Sequence, residues 1–130
     1  MNKQRICVVG DGLSGLMTAV ALSQLKEIEV TLMAKKTSKN QDKRTTAISD
    51  VNFKFLRENI DKLSLKLFWP SKRIELFYET NKEKINFLNL HEENTNLMYV
   101  FENDKIKNIL SKSIFKKKIK IINKNISDLD

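Results

Sequence analysis

Three glycines make up the whole glycine complement of this 130-residue chain, and they stand together as Gly10-x-Gly12-x-x-Gly15. An apolar run, Ile6 to Val9, leads into them and a helical pattern follows. That is the strand–turn–helix setting in which this spacing binds a dinucleotide. Gly10 permits the tight turn off the strand, and Gly12 lets the backbone approach a pyrophosphate with no Cβ in between. Gly15 lets the helix lie close to the strand. The N–H groups of Leu13, Ser14 and Gly15 are expected to face the anion from the helix N-terminus, where the dipole favours negative charge. That all the glycine falls in one motif argues against coincidence; the plainer alternative is a strand-to-helix turn that merely needs glycine.

Few other residues could complete such a site. The fingerprint expects Asp or Glu at the close of the second strand, to hold a ribose hydroxyl. Here the sequence runs Leu32-Met33-Ala34-Lys35-Lys36, with Ala34 at that position. Either the ribose is held otherwise, by Lys35 or by main chain, or nucleotide affinity is weakened. A charged hydrogen bond of the missing type contributes roughly 1.5–3 kcal/mol, which is ten- to a hundredfold in affinity. Arg44 is one of four arginines in a chain with 20 lysines. Its chemical reading is a contact to a cofactor phosphate, and its plain reading is a surface arginine. His91, the single histidine, lies beside Glu92 and Glu93 with no partner His or Cys, so neither a metal site nor a catalytic base is expected there. The single cysteine, Cys7, is expected to pack as a small buried hydrophobe.

The elements that must position these residues follow from periodicity. Leu13, Leu16, Met17, Val20, Ala21 and Leu25 recur at helical steps, so a helix is expected from Leu13 to about Lys26. Glu29–Met33 reads as a second, parallel strand, reached by a right-handed crossover. Residues 35–43 are wholly polar and read as an exposed loop. Ser49 is a candidate N-cap for a helix through Val51, Phe55 and Leu56. Leu63 to Pro70 reads as an apolar turn, with Pro70 ending any helix before it. Arg73–Tyr78 and Lys84–Leu90 alternate as half-buried strands, the second with one slip. Phe68, Trp69, Phe77 and Tyr78 are expected to pack in the core, with a pocket lining as the alternative. Asn103 is a candidate N-cap, with Asp104 in the first turn of a helix whose stripe is Ile106, Ile109, Leu110, Ile114 and Phe115. Ile119–Ile122 reads as a third strand of the parallel sheet. The expected fold class is α/β: a Rossmann-like parallel sheet beginning βαβ, with an inserted antiparallel strand pair.

Val8-Val-Gly-Asp-Gly-Leu-Ser-Gly15-Leu-Met-Thr-Ala19, followed by Asp42-Lys-Arg44-Thr-Thr-Ala47, resembles the FAD-dependent aromatic hydroxylases. The resemblance is closest to the ubiquinone-biosynthesis hydroxylase group, which carries a D-x-R-x-x-A-L segment after the second strand. A third match is Met98-Tyr-Val-Phe-Glu-Asn103-Asp-Lys-Ile-Lys-Asn-Ile-Leu110, similar to that group's G-Y-V-V-E-N-x-x-L-x-x-x-L. Three ordered matches span the chain. The resemblance implies the N-terminal part of a larger FAD-binding fold and a flavoprotein monooxygenase hydroxylating a polyprenyl phenol ring in ubiquinone biosynthesis. NAD(P)H is the implied electron donor. By the same resemblance Gly10, Gly12, Leu13, Ser14 and Gly15 hold the FAD pyrophosphate, Arg44 contacts its phosphates or flavin, and Asn103 approaches it from the third element. Lys35 is a further candidate near the adenosine. Two departures stand out: Ala34 replaces the ribose acid, and Asp104 stands where relatives often carry a basic residue.

The chain is expected to be one domain over residues 1–130, with a nucleotide-binding core at about 1–60 and 98–130 and an inserted strand region at about 70–97. Members of the resembled group run much longer and complete FAD binding with a later Gly-Asp motif. This chain alone is therefore expected to be catalytically silent, as a truncated product or as one half of a split enzyme. The net charge of +8 rests on lysine, beside 13 Asn and 13 Ile, which reads as compositional bias and a solvated surface. Recognition of nucleic acid favours Arg, so none is expected. With no apolar run of membrane-spanning length and no secretory signal, a cytoplasmic location is expected, with peripheral contact to the inner membrane as a variant. Expected partners are an aromatic substrate and a complementing C-terminal chain or other biosynthesis proteins. Two other readings stay open: a degenerate nucleotide-binding or protein-interaction module without catalysis, and an NAD-binding Rossmann domain.

Overall fold

The computed structural model describes residues 3–35, 42–61 and 63–124. Gln4–Val9 forms β1, Leu13–Leu22 forms α1 and Ile28–Ala34 forms β2. Thr45–Ser49 is β3, Asp50–Asn59 is α2, and a 3-10 turn over Leu65–Leu67 leads to β4, Trp69–Ser71. Arg73–Glu79 and Lys84–His91 are β5 and β6, followed by β7 (Met98–Glu102), α3 (Asn103–Lys116) and β8 (Lys120–Asn123). The strands form a parallel sheet β1-β2-β8, an antiparallel sheet β3-β7-β4 and a separate pair β5-β6. The α/β class, the Rossmann-like parallel sheet and the β5-β6 pair are as the periodicity predicts; the antiparallel sheet β3-β7-β4 is an addition, because its short strands pair only across long stretches of chain.

Register explains why β2 is the buried centre of the parallel sheet. Ile6 and Val8 of β1 stand beside Val30 and Leu32, and Leu32 in turn stands beside Ile121 of β8. Val8, Val30 and Leu32 join Leu16, Ala19 and Val20 of α1 and Ile106, Leu110 and Ile114 of α3 in one core that continues through Phe53, Leu56 and Phe101, while Ile121 is half exposed at the sheet edge. Phe53 stacks on Tyr99 with centroids 3.7 Å apart and meets Phe68 edge-on at 4.9 Å, the second being the geometry that ring quadrupoles favour.

Several expectations change. Cys7 is exposed, because it alternates with Ile6 and Val8 onto the other face of β1, which no element covers among the described residues. α1 stops at Leu22, since the Ser23 hydroxyl donates to the Val20 carbonyl at 2.7 Å and a tight turn follows; Leu25 lies outside the stripe and is exposed. In α2 it is Phe53 and Leu56 that are buried, while Val51 and Phe55 face solvent. In α3 the stripe Ile106, Leu110 and Ile114 holds, but Phe115 is 86% exposed. Of the four aromatics expected in the core, Phe68 is buried, and Trp69, Phe77 and Tyr78 are exposed. Pro70 sits inside β4, pairing with Tyr99 of β7; β4 is an edge strand, where the missing N–H forfeits no ladder bond. The reading of residues 35–43 as a loop falls mostly outside the described residues.

The β5–β6 pair is an amphipathic ribbon. Ile74 faces Leu90, Leu76 faces Leu88 and Tyr78 faces Ile85, alternating with pairs that carry polar residues. The slip expected in the second strand is a register shift at Leu76/Phe77. Among the described residues, no helix is long and apolar enough to cross a membrane.

Candidate functional site

Parallel sheets bind ligands at the carboxyl ends of their strands, and the glycine turn lies at that end of β1. The Gly10 N–H donates to the Met33 carbonyl at 2.8 Å, carrying the β1–β2 ladder one step past the strand. Gly10 then turns with φ +107°, a conformation side chains rarely adopt. A Cβ on Gly15 would collide with the Gly10 carbonyl oxygen, so close helix–strand packing demands glycine there. Gly12 is different. Its φ of −71° suits any residue, and a Cβ would meet no protein atom within 4 Å. The protein itself has no steric need for glycine at this position.

Gly12 is also the N-cap of α1, with no side-chain cap and no acidic residue in the first turn. Leu16 N donates to the Gly12 carbonyl at 3.0 Å, which leaves the N–H groups of Leu13, Ser14 and Gly15 without intrahelical acceptors. Two clefts flank this terminus. The first, about 390 Å³, is lined by Asp11, Ala34, Lys35, Lys107, Ser111 and Asn123 among others. The second, about 620 Å³, is largely apolar and runs from Leu13, Ser14 and Met17 to Thr46, Ile48 and Phe55. Ala34 is the last residue of β2 and is buried, so the position where the acid was expected does close the strand.

Arg44 lies just before β3, two residues from Thr46. Its Nε and Nη2 donate to Asp42 Oδ1 and Oδ2 at 2.7 and 2.8 Å, a bidentate clamp that fixes the guanidinium plane. Its side chain is 81% exposed, and three of its five N–H donors remain for a ligand. The clamp holds the Asp42 carboxyl far below the ordinary carboxylate range, first through Arg44 and then through the hydrogen bond from Asn103, and it raises Arg44. Asn103 Nδ2 donates to Asp42 Oδ2 at 3.0 Å, while its Oδ1 accepts from Thr46 Oγ1 at 2.6 Å. Asn103 is the one buried polar residue among those described, and both ends of its amide are engaged internally. It is not the N-cap: that position is Glu102, and Asn103 is the first residue inside α3. Asp104 accepts from the Asp42 backbone N–H at 2.8 Å, so its charge ties the segment before β3 to the start of α3.

The structure thus gathers Gly10, Gly12, Leu13, Ser14, Gly15 and Lys35 around the α1 N-terminus. Arg44 stands on a separate post built from Asp42, Asn103, Asp104 and Thr46. Sequence reasoning did not single out Asp11, Lys107 or Asn123. For Asp11 the signal was its place inside the glycine turn; for the other two, only the packing of α3 and β8 against β2 brings them to the cleft. Among the described residues no group of His, Cys, Asp and Glu could hold a metal ion.

No protein family matches the sequence, and no curated protein does. Solved structures do match. The tetrameric form of 2-methyl-3-hydroxypyridine-5-carboxylic acid oxygenase superposes with a TM-score of 0.69 at 16% identity, over 95% of this chain and 32% of that one. FqzB in its native form gives 0.66 at 15% identity, over 94% and 30%. CtdE in complex with FAD gives 0.60 at 17% identity, over 92% and 30%. The chain spans about a third of the length of these structures. At such identities the likeness speaks for the fold alone, and the fold is that of a fragment of an FAD-binding fold.

Proposed function

We propose that the chain binds FAD and forms the nucleotide-binding part of a flavoprotein monooxygenase acting on an aromatic ring, of the polyprenyl-phenol kind used in ubiquinone biosynthesis. The observation that carries the reading is Gly12: glycine stands where the protein has no steric use for it, at an uncapped helix terminus between two clefts. A pyrophosphate there would be met by the N–H groups of Leu13, Ser14 and Gly15 and by the helix dipole. The adenosine side would enter the polar cleft beside Ala34 and Lys35, and the flavin side would run toward the apolar cleft and β3. Arg44, held in plane by Asp42, is assigned to the phosphates or the flavin, with Asn103 acting through Asp42. When bound, reduced FAD supplies the O₂ chemistry, with NAD(P)H as the assigned donor; the protein orients the flavin and excludes water.

Hydroxylation is assigned to this part joined to polypeptide equivalent to the rest of the matched architecture. The test is titration of the purified chain with FAD, followed by flavin fluorescence and absorbance. Saturable binding that ADP competes away supports the reading; a chain that takes up no FAD at any concentration sinks it, and an interaction module without a cofactor is then the better reading.

A further inference from the structure

We propose that the Asp11 carboxylate takes over the task of the missing strand-end acid and holds the ribose of the bound nucleotide; this rests on the FAD reading above. Asp11 and Ala34 line the same cleft of about 390 Å³, so an acidic residue borders the space beside the end of β2, from the glycine turn instead of the strand. Asp11 does not line the apolar cleft on the other side of the α1 N-terminus. Its backbone is placed by the turn itself, through the positive φ of Gly10 and the Gly10–Met33 hydrogen bond. Ala34 is buried and small, which leaves the space that a strand-end acid would fill.

Among the described residues Asp11 is half-buried and has neither an ion-pair partner nor a side-chain hydrogen bond. A carboxylate has acceptor sites only, and ribose hydroxyls are donors that match it. A negative charge next to a pyrophosphate is unfavourable by itself. In this cleft it is offset by Lys35 and Lys107, which line the same space, and Asn123, which faces Ala34 across the β2–β8 ladder, adds a neutral donor and acceptor.

The test compares ADP with 2′-deoxy-ADP on the folded chain by calorimetry or by displacement of bound FAD. The wild-type chain is expected to prefer ADP by at least about tenfold, the lower bound for a charged hydrogen bond. Asp11→Asn, which keeps size and turn geometry but not charge, should lose most of that preference, and Asp11→Ala should abolish it. Adding Ala34→Glu to Asp11→Ala should restore it by returning the acid to the strand end. Equal binding of the two ligands by the wild type, or an undiminished preference for ADP in Asp11→Asn, overturns the assignment while leaving the FAD reading in place. Failure of the wild type to bind either FAD or ADP removes both.

Discussion

A methyl group added at Gly15 would meet the carbonyl of Gly10, whereas one added at Gly12 would meet nothing. The two substitutions should therefore separate fold from function. Gly15→Ala is expected to lower the thermal midpoint, because backbone atoms must shift to admit it. Gly12→Ala should leave the midpoint unchanged and weaken FAD by at least about tenfold, measured by fluorescence titration, since the methyl would occupy the anion's approach. Asp42 offers a second residue-scale check. Its pKa is depressed in the folded chain, so its stabilising contribution is fully present above the ordinary carboxylate value of about 3.9 and is lost as pH falls through the folded value. The thermal midpoint of the wild type should exceed that of Asp42→Asn at neutral pH, and the gap should narrow below about pH 4. A gap that stays constant from pH 7 to pH 2 would show that the Arg44 clamp contributes nothing through its charge.

At the scale of elements, α3 joins the two clefts. Lys107 and Ser111 face the polar one, and Ile106 and Leu110 face the apolar one. Leu110 is 1% exposed and Phe115 is 86% exposed on the same helix. Leu110→Ala should cost about 2–5 kcal/mol in urea unfolding, through lost transfer energy and the cavity left behind. Phe115→Ala should stay within about 0.5 kcal/mol of the wild type. The β5–β6 ribbon behaves differently again. Its apolar pairs are exposed, so replacing Leu76 and Leu88 with Thr removes exposed apolar area without touching the core. That double variant should be less prone to aggregate in light scattering while binding FAD like the wild type.

At the scale of the whole molecule, the chain has the architecture of about a third of the solved structures it matches, and among the described residues β1 is an edge strand with one face exposed. On the proposed function the end of this sheet holds the nucleotide, and a water-excluding flavin pocket needs walls on every side. FAD uptake without NAD(P)H-dependent hydroxylation is therefore the expected behaviour of the 130 residues alone, read from oxygen consumption and product analysis. The charge of +8 should add a modest salt dependence to FAD binding, because exposed lysines act on the diphosphate through a screened field.

The local sequence by itself determined the strand–turn–helix at Gly10–Gly15, the three parallel strands, the Ser49 cap and the buried stripe of Ile106, Leu110 and Ile114. Periodicity and glycine sterics act over a few residues and need no partner elsewhere in the chain. Tertiary structure alone decided which apolar residues were covered. Cys7, Phe115 and Tyr78 carry the same local pattern as buried residues, yet each points where no element packs. The same holds for the site. The glycine turn was legible, but Asn103 as the support of Asp42, and Lys107 and Asn123 in the cleft beside Ala34, arise only when β7, α3 and β8 return from far along the chain. Burial and convergence depend on what lies across space, and a residue's neighbours in sequence do not record that.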